Sequence, residues 1–133
     1  MNTDKRPLLQ ALRLNAMFSG TSALLMFLSA GWIAAQLGLE STLPVYAVVA
    51  VLVLFALQLA NVVRTAAIRS WEIMGIIAGD LAWVAASIVL VAVFYEQVTT
   101  TGLVLVDAVA IAVLFFAIRQ YRGLRVFQHG VST

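Results

Sequence analysis

Residues 75–87 read GIIAGDLAWVAAS, an apolar run that holds one acid, Asp80, and a high density of small residues. Apolar character extends over 73–94, about the 20 residues that a helix needs to cross a hydrocarbon core. Inside lipid the backbone must satisfy its own hydrogen bonds, so the stretch predicts a membrane-spanning helix. Small residues on such a helix let neighbouring backbones approach closely. A carboxyl placed within it is costly enough to demand a structural or functional role.

Three further apolar runs lie at 16–37, 43–63 and 102–118, with Pro44 suited to the first turn of its helix. Hydrophobic residues make up 63% of the 133-residue chain and charged residues 11%, against roughly 25% charged in soluble domains. The connections are short, which makes successive helices antiparallel neighbours. The prediction is an all-α membrane protein, an antiparallel four-transmembrane-helix bundle forming a single four-span domain over residues 1–133. The first run is longer than the roughly 7–15-residue core of a signal peptide and is polar along its length, so it is expected to be retained as a span.

On that topology Lys5, Arg6, Arg13, Arg64, Arg69, Arg119, Arg122 and Arg125 all fall on one side, and the opposite connections carry only Glu40 and Glu96. The positive-inside rule then puts both termini in the cytoplasm, with the protein in a bacterial inner membrane. Trp71 and Tyr121 suit the inner aromatic belt, and Tyr46 and Tyr95 the outer one. The arginines between 119 and 125 continue the last helix out of the membrane, where membrane lipid headgroups attract them.

The polar residues keep helical spacing. Asn15, Ser19, Ser22, Met26, Ser29 and Gln36 hold one face of the first span, which predicts an interior position for that stripe. Gln58, Asn61 and Thr65 repeat the pattern in the second span. In the third, Asp80, Trp83 and Ser87 stack on one face, with Gly75, Ala78, Gly79, Ala82, Ala85 and Ala86 roughly opposite, including a GxxxG match. The Asp80 face is expected inward and the small face against a neighbouring helix of the same bundle or of a second protomer. Gly75, Gly79, Ala82 and Ala86 are the expected helix-contact residues.

By helical rise Asp80 lies ~11 Å in from the cytoplasmic boundary. Asn15, Ser19, Ser22, Gln58 and Asn61 fall in the same half, so the six residues are expected to form one internal polar cluster. Asp107 in the fourth span, a second expected buried acid, lies ~8 Å from the outer boundary. More than ~10 Å of axial separation keeps the two acids from acting as a catalytic carboxylate pair, which needs roughly 5–9.5 Å. Asp80 admits two readings, a carboxyl that fixes helix register or a proton or cation site. Trp83 either packs in the bundle or walls a ligand pocket.

There is no cysteine, and the one histidine, His129, lies in the C-terminal tail. Thiolate metal sites, iron–sulfur clusters and a haem held by two histidines of one chain are thereby excluded. Phosphate loops, Ser/His/Asp arrangements and HExxH are absent. No cofactor, no enzymatic activity and no nucleic-acid partner is expected.

Three short pieces, Arg13-Leu-Asn15, Asp80-Leu-Ala-Trp83 and Tyr121-Arg-Gly-Leu-Arg125, resemble a set of small four-span bacterial inner-membrane proteins without an assigned activity. The resemblance implies the four-span topology. Small four-helix multidrug exporters carry a glutamate in the first span, and no acid occupies 16–37 here. The leading expectation is a self-associating interaction or accessory subunit, a homo-oligomer or the companion of another membrane subunit. The alternatives are a small proton- or cation-coupled transporter using Asp80, and a bundle that binds a lipid or quinone.

Overall fold

The computed structural model describes residues 4–132, and every element in it is helical. The elements are α1 (Arg6–Leu28), α2 (Ala30–Gln36), α3 (Leu43–Thr65), α4 (Ser70–Phe94) and α5 (Thr100–Ser132). Four of the helices, α1, α3, α4 and α5, are long and apolar enough to cross a membrane. Prolines open α1 and α3, at positions whose N–H has no intrahelical acceptor in any case.

Two boundaries differ from expectation for a physical reason. The first helix begins at Arg6, about ten residues before the expected span, and the last runs on to Ser132. Mean apolarity marks a span, but amphipathic pairing sets helix length here. Leu8 and Leu12 have no solvent exposure and pack with Ala117 and Leu124 of α5, while Arg6, Gln10 and Arg13 face outward. The expected single first helix is also divided. It breaks at Ser29 (φ −115°, ψ 21°), and α2 resumes the path as a short helix.

α1 lies between α3 and α5, and α4 packs chiefly on α5. The main apolar core joins Leu8 and Leu12 of α1, Leu59 and Val62 of α3, Ile73, Ile76 and Ile77 of α4, and Ala117 and Leu124 of α5. A smaller cluster of Ala30, Ala34 and Val45 lies at the other end.

α5 comes close to α1 and to α2 at glycines. A Cβ on Gly123 would stand 2.7 Å from the Leu8 Cα, and one on Gly102 would stand 2.6 Å from the Gln36 carbonyl oxygen. At the Gly102 end the Thr99 backbone N–H donates to the Gln36 carbonyl at 2.9 Å, and the Thr99 hydroxyl pairs with Gln36 Oε1 at 2.7 Å. Gly38 (φ +70°) lies against the Gln97 carbonyl there, a conformation and a contact that favour glycine. At the Gly123 end the Lys5 ammonium donates to the Ala66 carbonyl at 3.1 Å, tying the chain start to the α3–α4 connection.

Candidate functional site

Within the apolar interior one polar cluster draws on three helices. α1 supplies Asn15 and Ser19, α4 supplies Asp80, and α5 supplies Gln120. All four are buried, Gln120 with no exposure and Asp80 at 3%. The Asn15 amide Nδ2 donates to Asp80 Oδ2 at 3.0 Å and to Gln120 Oε1 at 2.7 Å. Gln120 Nε2 donates to the same Asp80 Oδ2 at 2.7 Å. The Ser19 hydroxyl donates to Asn15 Oδ1 at 3.1 Å. Each amide thus works at both ends, and the carboxyl is held by neutral donors alone.

The cluster is where it is because each member lies on its helix's buried stripe. On α1 that stripe is Leu8, Ala11, Leu12, Asn15, Ser19 and Ala23, at steps of three and four. On α5 it is Val113, Phe116, Ala117, Gln120 and Leu124. Phe18 and Phe116 meet with ring centroids 5.2 Å apart, just above the cluster. Three buried polar groups from three helices satisfy one another only in one register, so the network selects a packing as well as stabilising it.

Other residues expected in the cluster lie elsewhere. Ser22 is half-buried and outside the hydrogen-bonded group. Gln58 and Asn61 are exposed, because α3 turns Val45, Val49, Leu59 and Val62 inward and the opposite face carries the polar residues. Asn61 Oδ1 accepts from Arg64 at 3.1 Å, a local bond on the outer surface. Asp107, expected to be a second buried acid, is exposed on the outward face of α5. That face is set by the buried stripe ending in Gln120 and Leu124, from which Asp107 is turned away.

Gln120 is not among the residues expected in the cluster, because it lies between Arg119 and Arg122 in the stretch expected to extend beyond the membrane. Its signal was the apolar spacing from Val113 to Leu124, which passes through it.

Trp83 shares the Asp80 face and is half-buried. Its Nε1 is the one buried side-chain polar atom without a hydrogen-bond partner among the described residues. Ser87, one turn on, donates its hydroxyl to the Trp83 carbonyl at 2.8 Å, the local backbone bond that serines often make in apolar helices.

The small face of α4 points away from all of this. Gly75, Ala78, Gly79, Ala82, Ala85 and Ala86 are all exposed. A Cβ on Gly75 would meet nothing within 4 Å, and one on Gly79 would meet only Phe55 at 3.5 Å. Phe55 of α3 therefore reaches the face at Gly79, while the Gly75 position is open among the described residues. No group of three or more potential metal ligands occurs among the described residues.

No protein-family model matches the chain, and neither a curated protein nor a solved structure shows a significant match to it.

Proposed function

We propose that the chain is a multi-pass membrane protein, an antiparallel four-span bundle with both termini cytoplasmic, that acts without catalysis as a self-associating interaction or accessory subunit. The observation that carries this reading is the exposed small face of α4, with Gly75 in open space on the side of the helix roughly opposite the buried Asp80. Membrane helices associate where small residues let backbones meet, and the fold leaves this face for another molecule.

Membrane residence is supported by the surface. Leu24, Leu25, Phe27, Leu28, Leu54, Leu57, Ile88 and Val93 are among many large apolar side chains that stand exposed. A continuous apolar surface of this kind is stable in lipid and aggregates in water. Orientation is supported by the confinement of every Lys and Arg to the Gly123 end of the bundle and the adjoining connection. A reporter fused after Ser41 that proves cytoplasmic rejects that orientation.

In this reading Asp80 fixes register. The test is native mass spectrometry of the full chain released from lipid nanodiscs, comparing Gly75→Leu with the parent. A Cβ there meets nothing within 4 Å, so the variant should keep its helix content and lose higher-order species by about tenfold. An unchanged oligomer distribution, or a parent that is monomeric throughout, rejects the proposal.

A second reading, a proton- or cation-coupled transporter built on Asp80, draws support from the carboxyl's neutral partners, which leave it free of any basic neighbour in contact. Unchanged proton-coupled flux in vesicles bearing Asp80→Asn rejects that alternative.

A further inference from the structure

Asp107 is the anomaly that neither the polar cluster nor the α4 face explains. It lies seven residues into α5, ~10.5 Å from the helix start. Around it on the same outward face are Val104 (62% exposed), Ile111 (69%) and Leu114 (39%). Among the described residues it takes part in no hydrogen bond or ion pair. On the four-span reading proposed above, on which this inference rests, an unpartnered carboxyl within a span is costly, whereas the buried Asp80 accepts from both Asn15 and Gln120.

The chain itself has no cation to offer at that level. The register of α5 is fixed against α1 through Leu8 with Gly123, Asn15 with Gln120 and Phe18 with Phe116, and against α2 through Gln36 with Gly102. By interpolation Asp107 is level with Ser29. The nearest basic side chain along α5 is Arg119, 12 residues or ~18 Å away, and on the first helix it is Arg13, 16 residues or ~24 Å from Ser29. A second copy inserted in the same direction places its own cations at that same distant level. Self-association therefore supplies no counter-charge to Asp107.

We infer that the outward face of α5, from Val104 to Leu114, is the docking surface for a membrane helix of a different protein that carries a lysine or arginine at the depth of Asp107. The surrounding Val104, Ile111 and Leu114 supply the apolar seat, and Asp107 supplies the one charge-assisted contact that sets depth and register. Such a pair, desolvated by the two helices around it, discriminates strongly against partners that lack the cation. This surface is separate from the small face of α4, so the chain has one face for its own copies and another for a basic partner.

The test places a photoreactive residue at Ile111 of the full chain in its native membrane and identifies the adduct by peptide sequencing. The expected adduct is to another membrane protein, within a span that carries Lys or Arg within one turn of the attachment point. Asp107→Asn should lower its yield by about tenfold, and Asp107→Glu should restore most of it. A cross-link to a second copy of this chain, to lipid alone, or to a span without a basic residue overturns the inference. So does a yield that Asp107→Asn leaves unchanged.

Discussion

The Gln120 side chain donates to Asp80 Oδ2 over 2.7 Å from a position with no exposure at all. Its own carbonyl is taken by Asn15, so removing Gln120 takes one hydrogen bond from each of two other buried groups and leaves them only their bond to each other. In lipid no water replaces the lost partners.

Gln120→Leu should therefore be among the more damaging single polar changes in the chain, at about 1–3 kcal/mol for the two buried hydrogen bonds lost. Asp80→Asn should cost less than half of that, because an amide oxygen still accepts from both donors. Gln58→Leu and Asn61→Leu, on the exposed face of α3, should fall within about 0.5 kcal/mol of the parent. Reversible unfolding in mixed micelles gives all four values. A Gln120→Leu variant as stable as the parent contradicts the geometry of the cluster.

The glycines divide by role. Gly123→Ala places a methyl 2.7 Å from the Leu8 Cα, a backbone atom that cannot step aside. We expect a loss of about 1–3 kcal/mol as α1 and α5 are pushed apart. Gly75→Ala meets open space and should leave the stability of an isolated protomer unchanged or raise it slightly, since alanine is the better helix former. Thermal unfolding of dilute micellar protein separates the two. Equal effects would mean that the close approach at Gly123 is not what holds those helices.

Trp83 Nε1 has no hydrogen-bond acceptor among the described residues. Trp83→Phe removes the unsatisfied donor while keeping most of the ring contact, and should be neutral or stabilising by up to about 1 kcal/mol. A clear destabilisation would show that the indole N–H is satisfied in the membrane by a molecule from outside the chain, and would favour the lipid- or quinone-binding alternative. Tryptophan fluorescence of a Trp32→Phe, Trp71→Phe background, titrated with a short-chain quinone, then tests for that occupant.

The four long apolar helices were legible because mean hydropathy and length are local properties of the chain, and so was the buried stripe through Asn15 and Ser19. The inward position of Asp80 followed from its helical spacing to Trp83 and Ser87. The extension of α1 back to Arg6 was harder to read, since its charges lower the average while Leu8 and Leu12 still bury fully. Facing was the least legible feature. Gln58 and Asn61 keep the same spacing as a buried stripe, and nothing in their own helix says that its Val and Leu residues win the interior.

By itself the sequence determined that the chain is helical, where its apolar segments fall, and which residues share a helix face. Those depend on spacing along one helix and on composition. Only the tertiary structure decided that Gln120, and neither Gln58 nor Asn61, completes the Asp80 cluster. The same is true of Gly102 and Gly123 being the close-packed glycines while Gly75 is open, and of Asp107 facing outward. Each of these turns on how one helix is rotated against another, and rotation is set by the joint packing of Leu8, Leu59, Ile76 and Leu124 across four helices, a quantity that no single segment contains.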